Sequence, residues 1–521
     1  MKAHLLYADM DLDLDAALPP GHEDLVQDLE AATVFHAMAA GDRYLFDLAE
    51  RVLLTSLGDP ARIRYRQEIL ADCLAHPEIV REMYAIAVGA LEDQRGIWGL
   101  SSRLPGSVLS VAVHQLEAFV VRLSELARLA AEHRSKFESE GFKVLLESVV
   151  DDLDDRYFRE IGRHLEQLRF RDGQLMSAEL GPDNSGINLV LRSPGGRSAG
   201  WRRRLGIGGR SSYAFTIDSR DQAGADALGD LASRGINLVA NAAAQSADHI
   251  GSFFKMLRAE LGFYVGCVNL ADGLRERGVP TCFPQPSESR PLRLSALDLR
   301  DASLVLRAGN EVVGNDVSAD GKPLLIITGA NSGGKSTFLR SVGLAQLMME
   351  CGMFTCAREF RSSVCAGIFT HFAREEDGSM VSGRLDQELG RMSVIADRIT
   401  PGNLILFNES FASTNESEGS EIARQVVLAL ADSGVRVIFV THLFDFAGSL
   451  HSQSMSTALF LRAQRRPNGR RSYRIEEGDP LPTSFGEDIY LRVGAWFGET
   501  IPPNHPLEPS RNGISEPGEP D

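Results

Sequence analysis

Six cysteines in 521 residues, with no CxxC pair among them, are too few and too scattered for a disulfide framework. That excludes the small oxidised secreted scaffolds and fits a reducing cytoplasm. Long apolar runs are missing as well: no stretch reads as the ~20 apolar residues needed to span a bilayer. The N-terminal MKAHLLYADMDLDLDAALPP has no apolar run of signal-peptide length. Positive charge is in deficit, 54 Lys and Arg against 71 Asp and Glu, for a formal net charge of −17. The chain as a whole is repelled by nucleic-acid phosphates, so any such contact must use a local basic patch. Asp9, Asp11, Asp13 and Asp15 alternate as a calcium loop begins, but Leu14 stands where that loop needs Gly and Pro20 where it needs Glu. An acidic strand or loop is the reading there.

What is present is a soluble globular composition, 43% hydrophobic and 24% charged, with length for about three domains. From His22 to about Leu100 apolar residues recur at three- and four-residue steps, punctuated by Pro60 and Pro77, as in a helical domain. After a break at Pro105-Gly106, the residues Leu109, Val113, Leu116, Val120 and Leu123 mark the seam of a long helix packed along a partner. A second helical pattern runs from about Asp151 to Phe170. QLMSAEL and INLVLRS, joined by the turn residues GPDNSG, then read as a hairpin. The next stretch carries Arg192, Arg197, Arg202, Arg203, Arg204 and Arg210 without one acidic residue. It is the candidate DNA-phosphate patch, its alternative being a solvated loop. Helices resume from about Asp221 to Arg277, and VPTCFPQP marks a boundary.

From about Leu292 short β-rich runs alternate with amphipathic helices, the pattern of an α/β domain with a mainly parallel sheet. PLLIITG, NLILFNES and VRVIFVTH are its clearest strands, and the Pro-, Gly- and Ser-rich segment past Ala495 is expected to be disordered. The expected division is 1–105, 106–285 with an inserted β and basic segment at about 172–217, 286–498, and a tail at 499–521.

Gly329-Ala330-Asn331-Ser332-Gly333-Gly334-Lys335-Ser336 is a complete GxxxxGK[ST] loop between an apolar strand and a helix, with Thr337 following. Its glycines let backbone N–H groups face phosphates, Lys335 neutralises β/γ oxygens, and the Ser336 hydroxyl ligates Mg²⁺, so ATP with Mg²⁺ is the expected cofactor. The strand Leu404–Phe407 delivers Asn408-Glu409. Glu409 is the candidate general base, while Asn408 offers an acceptor oxygen toward the metal without a carboxylate's charge. A third strand ends in Thr441-His442, placing an imidazole beside the expected γ-phosphate. Cys351, Cys356, Cys365 and His371 fit no common zinc spacing, and the three cysteines read as buried apolar residues. Arg462, Arg465, Arg466, Arg470, Arg471 and Arg474 flank Pro467-Asn468-Gly469 as an edge hairpin.

Together these segments resemble the ATPase of the MutS family, the ABC-type ATPases of DNA mismatch repair and their relatives. TGANSGGKSTFLRSVGLAQLMMECGMF resembles the family's TGPN-GGKST block, NESFASTNESEG its DE-RGT-DG block, and FVTH its ATH. Thr414 and Gly419 match the second block, where Glu418 and Asn408 each replace an Asp. GNEVVGNDV, with Asn315-Asp316 at its core, resembles the segment flanking the adenine. SMVSGRLDQEL falls where the family has its signature segment: Glu388 aligns with that segment's Glu and Gly383 with its serine, so neighbouring Ser382 is the candidate to reach the partner's γ-phosphate across a homodimer. RIRYRQEILADCLAHPEIV and the run HIGSFF to GVPTC resemble the family's helical core and the helix leading into its ATPase.

The resemblance implies a multidomain architecture, an α-helical core and lever region followed by an α/β P-loop ATPase of ABC type. It covers no mismatch-reading or connector domain, so direct mismatch recognition is not expected. Three functions remain open: a dimeric ATPase coupling ATP to conformational change on DNA, an ATP-gated clamp with little hydrolysis because of Asn408, and an ABC-type ATPase acting on proteins.

Overall fold

The computed structural model describes residues 1–97, 104–170, 173–182, 186–192, 216–218, 220–308, 311–374, 383–453, 455–465 and 471–480. The chain divides into two compact units. One is Met1–Gly321 with Arg340–Thr370 and Ile399–Leu404; the other is Lys322–Leu339 with His371–Arg398 and Ile405–Asp521.

The first unit is chiefly helical, and its prolines mark helix starts. Pro60 opens Pro60–Ala75, where the Asp59 carboxylate accepts the Ala61 N–H, Pro77 opens Pro77–Ile97, and Pro105 opens Pro105–His133. A locked φ and a missing N–H cost little in a first turn. The helix Gln222–Glu276 runs unbroken for 55 residues, about 80 Å at 1.5 Å per residue. Asp221 caps it by accepting the Gly224 N–H, and Gly278, at φ 63°, lies just past its end. Pro77–Ile97 and Pro105–His133 both pack along it.

The seam of Pro105–His133 runs through Leu109, Val113, Leu116, Phe119 and Leu123, with Phe119 replacing the expected Val120, which is only half-buried. A straight 3.6-residue helix drifts from a strict heptad, and the Phe119 ring stacks on Phe254 at 5.7 Å. Contrary to the sequence expectation, this helical run is long and apolar enough to cross a membrane by length and composition. Its apolar stripe is covered here by neighbouring helices.

The segments expected as a hairpin do pair, β1 (Met176–Leu180) antiparallel to β2 (Gly186–Leu191), and the Arg192 Nε donates to Ser177 Oγ at 2.9 Å. Arg197, Arg202, Arg203, Arg204 and Arg210 lie outside the described residues, as does the tail. The unit also holds a sheet of β3 (Gln285–Ser287), β4 (Leu294–Leu299), β5 (Asn315–Ser318) and β7 (Glu359–Ser363), in the order β3-β7-β4-β5. All six cysteines are free, and only Cys282 is not fully buried.

The second unit is built on β6 (Leu324–Gly329), every residue of which is buried. The sheet order is β12-β11-β6-β10-β9-β8, with β8 at Ile368–Phe372, β9 at Leu404–Asn408, β10 at Arg436–Val440, β11 at Ala458–Arg465 and β12 at Arg471–Glu477. Strand β6 pairs in parallel with both β10 and β11, and β11 turns back antiparallel into β12 at the sheet edge. A strand covered on both faces reads as a continuous apolar run, which is why LLIIT and RVIFV were recognisable.

In the first unit the N-terminal segment has no regular element, yet Leu5 and Leu6 are buried. The Glu260 carboxylate accepts both their N–H groups, the Tyr264 hydroxyl donates to the Leu5 carbonyl, and Arg66 Nε donates to the Leu6 carbonyl at 2.9 Å. Burial, against the pull of those two backbone bonds, lifts the Glu260 carboxyl from 4.5 to about 7. An acid whose folded pKa is raised favours folding below its unfolded value and loses that contribution as pH rises toward the folded one. We therefore expect a stability term of about 3 kcal/mol to fade between about pH 4.5 and 7. Denaturant melts at pH 5 and 8 should show a difference that shrinks in Glu260→Gln; an unchanged difference rules this carboxyl out as its source.

Candidate functional site

The loop after β6 closes tightly for two reasons. Gly329, Ser332 and Gly334 all have positive φ, at 105°, 55° and 96°. A Cβ on Gly329 would lie 2.9 Å from the Ala463 nitrogen, and one on Gly333 2.7 Å from the Ala330 oxygen. Glycine is required both by the backbone conformation and by the close approach of β11. Asn331 and Ser332 are exposed at the tip, Thr337 is half-buried, and Ala330 and Lys335 are buried. Lys335 Nζ donates to the carbonyls of Gly329 at 2.9 Å and Ala330 at 3.2 Å. Burial pulls its pKa below 10.5; the Glu409 charge opposes that shift and the Arg471 charge adds to it.

Ser336 Oγ donates to Asn408 Oδ1 at 2.8 Å, so hydroxyl and amide oxygen converge. Two oxygen donors suit a hard cation such as Mg²⁺, although the pair carries one negative charge less than Ser with Asp would. Next to it, Glu409 is half-buried at φ 55°, and its N–H donates to the Val440 carbonyl at 2.8 Å. That bond brings the ends of β9 and β10 level. Thr441 donates its N–H to Ile327 at 3.0 Å, and its hydroxyl accepts the Leu443 N–H at 2.9 Å. His442 follows as an exposed side chain. Because β10 lies between β6 and β9, the loop, the Thr441-His442 turn and Asn408-Glu409 lie together at the C-terminal ends of these three interior strands.

Other expected residues stand differently. Ser382 lies outside the described residues, while Gly383 is the exposed N-cap of the helix Arg384–Ala396. Glu388 on that helix is buried, and its carboxylate accepts the Phe411 N–H at 2.6 Å. In the first unit, Asn315 is buried in β5 and Asp316 accepts the Asp298 N–H at 2.7 Å. No group of three or more His, Cys, Asp or Glu side chains among the described residues is placed to hold a metal. Sequence reasoning treated Arg471 only as part of a basic edge hairpin. Its charge reaches Lys335, and a Cβ on Gly334 would lie 3.3 Å from the Tyr473 carbonyl, so β12 is a wall of the glycine-rich loop. Only the register of β11 on β6, Ala463 opposite Gly329, reveals it.

Comparison with known proteins matches two segments of the chain. Residues 58–277 match the family model of the MutS2 N-terminal domain, and residues 325–490 match MutS domain V. DNA mismatch repair protein MutS of Chloroflexus aurantiacus is 36% identical over 138 residues, 26% of this chain and 14% of that protein. Endonuclease MutS2 of Lacticaseibacillus casei is 32% identical over 201 residues, 38% of this chain and 25% of that protein. DNA mismatch repair protein MutS of Thermotoga neapolitana is 33% identical over 187 residues, 36% and 23% respectively. The chain thus spans a quarter or less of the length of these relatives.

Whether the Ser336–Asn408 pair holds a cation is testable by charge. Asn408→Asp keeps the acceptor for Ser336 and adds a negative charge, so Mg²⁺ affinity in the presence of nucleotide should tighten on the order of tenfold. A Mg²⁺ titration followed by a fluorescent nucleotide checks this; an unchanged midpoint would mean that position 408 does not face the ion.

Proposed function

We propose that the chain, whose two matched segments are those of MutS-family proteins, is a member of that family and a homodimeric ATPase of ABC type that couples ATP binding and hydrolysis to a conformational change on DNA. The observation that carries this reading is the convergence of Lys335, the Ser336–Asn408 pair and Glu409 at the C-terminal ends of neighbouring strands. In this reading residues 1–105 and 106–285 act as helical core and lever, 286–498 as the ATPase, and 499–521 as a tail.

The loop Gly329–Thr337 binds the phosphates through backbone N–H groups at the start of the helix Lys335–Glu350. Lys335 exchanges two carbonyl partners for phosphate oxygens, which relieves a buried ammonium whose pKa is depressed. Ser336 and Asn408 would hold Mg²⁺, which when bound neutralises charge developing on the β/γ oxygens. Glu409 orients a water and takes its proton, and His442 contacts the γ-phosphate from the neighbouring strand end. Ser382 of the second protomer completes the site. DNA is held through Arg192, Arg197, Arg202, Arg203, Arg204 and Arg210, since a net charge of −17 requires a local patch.

One observation favours a second reading: the neutral Asn408 at the metal position fits an ATP-gated clamp that binds tightly and turns over slowly.

Lys335→Ala should weaken ATP binding by about 100-fold or more, while Glu409→Gln should keep binding and lower turnover by at least about 100-fold. Equilibrium nucleotide binding beside steady-state phosphate release tests both. Unchanged affinity in the first variant overturns the site assignment, and equal turnover in the second removes Glu409 as base. Replacing Arg202, Arg203 and Arg204 by Ala should flatten the log-affinity against log-salt slope on duplex DNA, by up to about 0.9 for each phosphate left without its arginine. An unchanged slope takes this loop off the DNA surface.

A further inference from the structure

His371 is fully buried at the end of β8 and bridges two elements that carry site residues. Its Nε2 lies 3.0 Å from the Glu388 carbonyl, which can only accept, so this nitrogen carries a proton. Its Nδ1 lies 2.7 Å from the Ser410 hydroxyl, whose oxygen is also 2.6 Å from the His371 carbonyl. The Ser410 hydroxyl has one proton: it donates to the His371 carbonyl and accepts from Nδ1, or, turned the other way, donates to Nδ1, and either arrangement ties Ser410 to His371. The ring is stacked on Phe411 at 5.3 Å and 22°, and it leans on Phe407 at 5.7 Å.

Ser410 is the residue after Glu409. Phe411, one further on, is tied to the same helix, Arg384–Ala396, through the Glu388 carboxylate at 2.6 Å. Arg391 of that helix donates to the Phe372 carbonyl at 3.0 Å. Glu409 and Phe411 both sit at positive φ, 55° and 64°, a conformation costing about 1 kcal/mol or more per non-glycine residue. Such a turn persists only where its surroundings hold it, and here Ser410 and Phe411 are held by that helix and by its neighbouring strand. A satisfied core histidine needs partners of any kind; this one joins the turn bearing the base to the helix that carries the second half of the signature-like segment, Glu388 included.

We infer that His371 is a positioning residue that couples the helix Arg384–Ala396 to the orientation of Glu409. The inference rests on the ATPase reading above and adds to it a cause for the alignment of the base. A displacement of the helix by about 1 Å breaks a 3.0 Å hydrogen bond. Glu409 is therefore in line for its water only while the helix is seated, and nucleotide at the site steadies the helix in return.

The test uses the full chain with Mg²⁺ and a non-hydrolysable ATP analogue, and ATP for turnover. His371→Phe keeps the ring and its stacking but removes both nitrogens; His371→Asn restores a polar group at the Nδ1 position. Nucleotide should slow hydrogen exchange of residues 384–396 in the wild type but not in His371→Phe, with nucleotide affinity within threefold, kcat lowered about tenfold and KM little changed. His371→Asn should recover a substantial part of kcat. Should the Phe variant not fold, Ser410→Ala cuts the same link from its other end and is held to the same result. Wild-type kcat in His371→Phe, or nucleotide binding with no exchange response in the wild-type helix, overturns the coupling alone. Wild-type protein that binds no nucleotide overturns the ATPase reading and the coupling with it.

Discussion

A buried ammonium must have oxygen around it, and in the second unit Lys335 finds it in its own loop, on the carbonyls of Gly329 and Ala330. Much of the candidate site follows from that constraint. The carbonyls reach Nζ only because the chain reverses through positive φ at Gly329, Ser332 and Gly334. The reversal is backed by Ala463, against which no Cβ fits on Gly329 or Gly333 without a shift, and by Tyr473 beside Gly334. Strand β6, buried throughout and paired on both sides, is the rigid base from which the loop springs. Burial that disfavours the charged amine also primes it: an anion entering the loop gives Lys335 a stronger partner than two neutral carbonyls.

The turn after β9 is held by a different principle. Asn408, Glu409, Ser410 and Phe411 follow one another, and each is fixed from outside the turn: by Ser336, by Val440, by His371 and by Glu388. Two of the four are in the left-handed region without being glycine. Strain placed beside a reacting group and held by its neighbours makes the position of that group depend on them. The amide at 408 gives Ser336 an oxygen partner without a carboxylate's charge, so any cation there would depend more on geometry than it would with an Asp.

In the first unit polar burial does structural work. Glu260, Arg66 and Tyr264 hold the backbone of Leu5 and Leu6, giving an N-terminal segment without secondary structure a defined path. Arg66 is fully buried, donates to the Cys351 carbonyl at 3.2 Å, and lies over the Tyr7 ring. In a helical stripe the sequence shows Arg66 and Glu260 only as interruptions. Their purpose appears when residues far apart in the chain meet.

The linear sequence alone determined the elements whose signals are local. The GxxxxGKS loop between strand and helix, the apolar runs of β6, β9 and β10, the Asn408-Glu409 pair at a strand end, and helix starts at Pro60, Pro77 and Pro105 are all short-range patterns set by sterics and period. Tertiary structure alone decided the rest. Sheet register seated the β11–β12 hairpin on the phosphate loop and brought the Arg471 charge to Lys335. Side-chain packing moved the long-helix seam from Val120 to Phe119 and made the buried His371 a bridge between Ser410 and Glu388. Register and packing depend on residues tens to hundreds of positions apart, and no periodicity along one segment encodes which distant partner it will meet.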